Sequence, residues 1–276
     1  MRIRTLGFAL LVPVALSSVS CRKDDTSMTT VEAQQALQEA ASSGEAENIT
    51  SGSIDIATDF TLGQAVDTAA QEIRDFITAQ LPCAAITLAG PTLTVEYGKN
   101  PGNCTYRGHT YSGKHEITVT KNDMANVVVD HTWTTLSNGV VEVSGTAEVT
   151  WSAMDKTRHV VHDLDWTRLS DGKTGNGTGD RLQQPLAAGI AEGFQVDGSR
   201  SWTGEGGTWD LAIEGVQWRW ADPVPQAGKY RLASPKDRSM TMAFERVDVD
   251  TIKVTVTSGV KSFSFNVSKA GQVSGA

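Results

Sequence analysis

The sequence is short of the residues on which most metal and redox chemistry depends: 276 residues hold three cysteines and five histidines. Three cysteines exclude a cysteine-rich knot, and five histidines leave few candidates for a histidine-built metal site. Cations are the minority charge, with 24 Lys and Arg against 32 Asp and Glu and a net charge of −8. A broad nucleic-acid binder needs clustered cations to displace phosphate counterions, so that class of partner is excluded. Catalytic motifs are missing as well. SDGKTG (170–175) has Thr167 where a phosphate loop requires glycine, and no strand-to-helix step follows it. His115-Glu116 opens like a zinc-protease motif but meets Val119 where the second histidine belongs. There is no Gly-x-Ser-x-Gly elbow, so no catalytic residue and no cofactor is assigned.

What is present begins at the N-terminus. Arg2 and Arg4 precede LGFALLVPVALSSV (6–19), an apolar run short of the roughly 20 residues that span a bilayer. It reads as a signal peptide over residues 1–20. Ser18-Val19-Ser20-Cys21 resembles the bacterial lipobox, which implies lipidation of the Cys21 thiol. Arg22 and Lys23 follow, not the aspartate that retains such proteins at the inner membrane. The resemblance therefore implies the outer membrane of a Gram-negative cell envelope, with the acyl chain as membrane anchor. Residues 21–58 are rich in Ser, Thr, Glu, Gln and Ala, and read as a lipidated tether with at most a transient helix over 31–41.

The body is predicted to be mainly β. One helix is expected first, because Leu62, Val66, Ala69, Ile73, Phe76, Ile77 and Leu81 recur at spacings of three and four. Asp59 or Thr61 can cap it, and Leu81-Pro82 ends it. Beyond Pro82 the period becomes two. Leu93, Val95 and Tyr97 share a face, as do Ile117 and Val119; Val160, His162, Leu164 and Trp166; and Trp209, Leu211 and Ile213. Met240, Met242 and Phe244 alternate, and two further alternating runs meet at Ser258-Gly259 as a hairpin. Gly215 is either a bulge or part of a turn. Short strands without repeated crossover helices mean an antiparallel β-sandwich or a strongly curved sheet, with the one N-terminal helix packed against it. Residues 59–168 give the helix and a first β half, and 194–270 a second half continuous with it. The segment between them, including SDGKTGNGTGD (170–180), reads as a hydrophilic excursion.

With Cys21 spent on lipid, Cys83 and Cys104 remain, and in an exported chain they are expected to form a disulfide. VEYGKNPGNCTYRGHTYSGKHEITVT (95–120) resembles a segment of exported bacterial lipoproteins of uncharacterised function, especially from Bacteroidetes, in a "DYG…GC…G…GKI" pattern. Tyr97-Gly98, Gly102, Cys104, Gly108, Ser112-Gly113-Lys114 and Ile117 match it, and GTWDLAIEG (207–215) and TIKVTVTSG (251–259) are similar to later strands of that group. The chain departs from the pattern in having no late cysteine pair and in carrying tryptophans at 218 and 220. The resemblance implies antiparallel β structure and no mechanism.

Other candidates are weaker. Asp171, Asn176 and Asp180 offer oxygen to calcium, in a spacing that fits no known loop. His159 and His162 fall on opposite faces of a strand and cannot share zinc. Asp248 and Asp250 would sit together on one strand face, as paired acids do in glycosidases. Trp218, Arg219 and Trp220 form a platform for a glycan or an envelope protein if that face is exposed. The function expected is an envelope lipoprotein with a structural or binding role. The alternatives are a carbohydrate- or protein-binding module using exposed tryptophans, and a hydrolase with an unrecognised site. Intact mass and membrane fractionation of the chain beside its Cys21→Ser variant check the anchor. A triacyl-sized increment is expected, lost in the variant together with membrane association.

Overall fold

The structure is a computed structural model that describes residues 27–57, 66–106, 109–121, 126–152, 154–204, 206–219 and 221–275. Cys21, the proposed helix caps Asp59 and Thr61, and Trp220 lie outside the described residues. The alternation past Pro82 gives a mainly β protein, 62% of it strand. The elements in chain order are α1 (Thr30–Ala57), α2 (Val66–Gln80), β1 (Ala85–Ala89), β2 (Thr92–Tyr97), β3 (Thr105–Tyr106), β4 (His109–Thr110), β5 (Ser112–Lys121), β6 (Val127–Ser137), β7 (Val141–Ser152) and β8 (Thr157–Arg168). The second half continues with β9 (Thr174–Leu186), β10 (Gly189–Gly204), β11 (Gly207–Arg219), β12 (Ala227–Ala233), β13 (Ser239–Arg246), β14 (Thr251–Ser258), β15 (Lys261–Ser268) and β16 (Val273–Gly275).

Fourteen strands form one antiparallel sheet in the order β1-β2-β5-β6, then β7 to β16 in sequence, while β3 and β4 pair apart as a small hairpin. The sheet is curved and not closed, so of the two expected architectures the strongly curved sheet is the one formed. Its inner face carries the core: Leu93, Val95, Ile117, Val119, Val129, Trp133, Val143, Val149, Val160, Leu164, Leu211 and Ile213 are all buried there. α2 lays Ala69, Ile73 and Ile77 against β1, β2 and β5, as its spacing predicts. The helix ends at Leu81-Pro82, and Cys83 just beyond it is bonded to Cys104 across a Cα separation of 5.4 Å.

Three expectations fail for physical reasons. Residues 30–57, expected within the tether, form α1. Its start is a capping box: the Glu32 amide donates to Thr29 Oγ1 at 3.3 Å, and the Thr29 amide donates to Glu32 Oε2 at 2.9 Å. Apart from Ile49 and Ile54, the inward residues of α1 are small or polar, among them Ala36, Ser43, Ala46, Glu47, Thr50 and Ser53. No apolar stripe announces such a helix. It crosses the inner face from Ser27, which bridges Ser239 beside β13, to Ser53, which accepts a hydrogen bond from Trp133 Nε1 of β6 at 2.9 Å.

The expected excursion at 170–180 is the second failure. Only a turn separates β8 from β9, and β9 pairs with β8 and β10 in the middle of the sheet. Its inner face is a row of glycines, Gly175, Gly177 and Gly179, where the large neighbours lie across the strand. A Cβ on Gly175 would meet the Trp166 ring at 2.5 Å, and one on Gly179 the His162 ring at 2.2 Å. Alternation is invisible when one of its two phases has no side chain. The third failure is Asp248 and Asp250, which lie in the turn between β13 and β14, where the Asp250 amide donates to Asp248 Oδ1 at 2.9 Å. At Gly215 the open choice resolves to a bulge. β11 runs on through it at φ 56°, its amide donates to Asp197 Oδ1 at 2.6 Å, and Ile213 and Val216 are both buried.

Gly177→Val tests the glycine row. Its Cβ would stand 2.8 Å from the Ser201 carbonyl oxygen and 2.8 Å from Trp202 Cβ. Chemical denaturation is expected to show a loss of about 2–4 kcal/mol.

Candidate functional site

Strand parity turns three arginines inward. Arg158 and His162 share the phase of Val160 and Leu164 on β8, Arg181 shares that of Gln183 on β9, and Arg200 that of Trp202 on β10. All but Arg200 are among the buried polar residues, and the Arg200 side chain is only 10% exposed. Two carboxylates from α1 meet them. Asp55 Oδ1 accepts from Arg158 Nη1 at 2.7 Å, and Arg158 Nε donates to Gln183 Oε1 at 2.6 Å. Glu47 spans the other two, with Oε1 2.5 Å from Arg181 Nη1 and Oε2 against Arg200 Nη1. Arg181 Nη2 approaches His162 Nδ1 at 3.4 Å, and the Arg200 guanidinium lies over the Trp202 ring at 5.5 Å. Burial lowers both Arg181 and Arg200 to about 10, which leaves them charged at neutral pH.

The network is incompletely satisfied. Arg181 Nε and Arg200 Nε are buried without a hydrogen-bond acceptor among the described residues, and so are Trp202 Nε1 and Trp209 Nε1. Trp202 and Trp209 stack with centroids 6.5 Å apart. Among the described residues Arg181 and Arg200 share the one carboxylate of Glu47, which leaves a surplus of one positive charge and four idle donors there. An orphaned buried donor costs about 1–3 kcal/mol, which makes the arrangement unfavourable as pure scaffold.

Next to the arginines the inner face turns aromatic. Phe194, Trp218, Tyr230, Met242 and Phe244 are half-buried on the adjacent strands β10 to β13. Phe194 pairs across strands with Trp218, and Tyr230 with Met242. Trp218 Nε1 donates to Tyr230 Oη at 3.3 Å, and Tyr230 meets the Phe244 ring edge-on at 5.7 Å. Burial pushes the Tyr230 phenol up, while the Trp218 N–H and the charges of Arg200 and Arg181 pull it back, so the phenol sits in the field of the guanidiniums.

The β5–β6 side of the inner face is closed by contrast. His115, His131 and Trp133 stack, with His115 Nε2 2.9 Å from His131 Nδ1 and Tyr97 Oη 3.3 Å from His115 Nδ1. Burial holds His131 and His162 down at about 3 and His115 well below its usual value, with Arg158 and Arg181 adding to the first two. All three are neutral at pH 7, a state suited to accepting hydrogen bonds and packing against rings.

The residues singled out from the sequence scatter. Asp171 is held in the β8–β9 turn by Arg168 at 2.7 Å. Asn176 and Asp180 point to the outer face, where Asp180 Oδ1 lies 2.6 Å from His159 Nε2. His159 is therefore outside and His162 inside, as strand parity requires. That outer face holds two shallow clefts of about 390 and 520 Å³, lined by Glu148, Asp163, Asp180 and Ser199 and by Glu142, Asp165, Asn176 and Thr203. No group of three potential metal ligands occurs among the described residues. Trp218 faces inward, and Arg219 Nε lies 3.3 Å from Glu192 Oε1.

Sequence reasoning missed the arginine strip although the signal was present. A charged residue in the apolar phase of a strand, such as Arg158 two before Val160, asks for a buried partner. No family model, curated protein or solved structure matches the chain.

The histidines make stability depend on pH. An unfolded histidine binds a proton near 6.5, whereas His131 and His162 in the fold do so only near 3. Below 6.5 the unfolded state holds more protons, so stability falls as pH drops from about 6.5 towards 3, by up to about 1.4 kcal/mol per pH unit per histidine. Denaturation between pH 7 and 4 should show this slope, reduced by one histidine's share in His131→Phe.

Proposed function

We propose that the chain is a cell-envelope lipoprotein, acyl-anchored at Cys21 in the outer membrane of a Gram-negative bacterium, and that its role is binding. The binding surface is the inner face of β10 to β13 beside α1. The observation that supports this is the pair Arg181 and Arg200, buried with their Nε donors idle and bordered by half-buried aromatics. A scaffold gains nothing from such a surplus, since buried ion networks are often matched or bettered by apolar packing. A ligand site gains donors already fixed in place.

Native mass spectrometry of the protein extracted from the envelope tests the reading. The wild-type chain is expected to retain an envelope component. The triple variant Glu47→Gln, Arg181→Met, Arg200→Met removes the Glu47 bridge as a unit and leaves the Arg158–Asp55 pair intact, and should lose the component while keeping its circular dichroism. Equal retention by both chains, or none by either, overturns the reading.

A further inference from the structure

Resting on that reading, we infer that the inner face takes an anionic amphiphile with a single apolar tail, whose headgroup displaces Glu47 from Arg181 and Arg200. Three independent observations converge on it. The first is the bridge itself. One carboxylate spans two guanidiniums on neighbouring strands, the geometry with which arginine pairs hold ligand carboxylate or phosphate. Glu47 occupies that place from α1, where Ser43, Ala46, Ile49 and Thr50 are the buried residues nearest it in the helix. The carboxylate is a single side chain on that helix, so a stronger acceptor competes with one side chain while the apolar residues of α1 stay in place.

The second is acceptor demand. Glu47 leaves Arg181 Nε, Arg200 Nε, Trp202 Nε1 and Trp209 Nε1 without acceptors. A headgroup with three or four oxygens supplies more lone pairs than one carboxylate does, and its charge offsets the surplus guanidinium. Neutral His162 beside Arg181 adds no competing cation at physiological pH.

The third is the apolar surface that begins where the charge ends. Phe194, Trp218, Tyr230, Met242 and Phe244 run across four adjacent strands, and Tyr230 lies in the field of both arginines. Four strands at about 4.8 Å spacing make a run of about 14 Å, a match for an extended tail of about a dozen carbons. A free inorganic anion has no use for that surface, and a neutral lipid none for the arginines.

Tryptophan fluorescence of the full-length Cys21→Ser chain, titrated with dodecyl phosphate, dodecanol or inorganic phosphate below aggregation, tests the inference. Dodecyl phosphate is expected to bind at least about tenfold more tightly than dodecanol, with inorganic phosphate weaker than either. Glu47→Gln should tighten dodecyl phosphate by about tenfold and leave dodecanol unchanged, because only the headgroup competes with that carboxylate. Phe244→Ser, at a half-exposed position, should weaken both alkyl probes and not inorganic phosphate. Equal affinity for dodecanol and dodecyl phosphate, or no response to Glu47→Gln, overturns the headgroup assignment. Inorganic phosphate binding as tightly as dodecyl phosphate overturns the tail. If no probe binds while the envelope-extracted protein still carries a component that the triple variant loses, the ligand class is wrong and the binding role stands. If both measurements are blank, both fail.

Discussion

The ion pairs between α1 and the inner arginines are the contacts on which the arrangement of this molecule depends. A curved sheet of fourteen strands offers an inner face too broad for one short helix to cover, and α2 covers only the β1, β2 and β5 end. α1 crosses the remainder, and it is fixed there by Asp55 on Arg158 and Glu47 on Arg181 and Arg200 together with the buried Ala36, Ala46, Ile49 and Ile54. In a low-dielectric interior such pairs are strong when matched and costly when broken. The helix is thus registered to particular strands by charge, with a capping box and the Arg238 contact to Glu32 at 2.7 Å holding its other end.

That division gives the inner face two characters. From β5 to β8 it is closed: valines, the His115–His131–Trp133 stack and Tyr97 fill it, and burial keeps the imidazoles neutral. From β10 to β13 Trp202, Trp209, Leu211 and Leu232 are buried, but Phe194, Trp218, Tyr230, Met242 and Phe244 are only half-buried, and idle donors accumulate at the boundary. The difference lies in side-chain chemistry and not in backbone, because the ladder runs through both regions and β9 joins them with a row of glycines.

Much of this was legible in the residues, and the illegible parts share a cause. Strands such as Thr251–Ser258 and helix α2 declare themselves because every second residue, or every third and fourth, is apolar. The Cys83–Cys104 bond followed from counting. α1 and β9 were hidden because their buried sides carry mostly Ala, Ser, Thr and Glu, with Ile49 and Ile54 too few for a stripe, in one case and Gly175, Gly177 and Gly179 in the other. Hydrophobic periodicity reports side chains that leave water by themselves. It is silent where burial is arranged by a partner, whether an arginine on a distant strand or an indole lying over a glycine. Arg158, Arg181 and Arg200 were visible only as charges in the wrong phase, and their carboxylate partners lie more than a hundred residues away in the chain.

The order of the sheet also sets an order of events in time. Every strand pairs with its predecessor, apart from the step over β3 and β4, so the ladder grows by hairpins that close short loops and reach their neighbours quickly. α1 is the exception: Met28 and Ser258 are 230 residues apart, and Arg200 lies 153 beyond Glu47. The partners of α1 lie on strands from β6 to β10 and those of the residues just before it near β13 and β14, so its docking is completed only after those strands are made. Until α1 docks, the Arg181 and Arg200 guanidiniums lack the Glu47 carboxylate, so any other anion competes with that helix for its place.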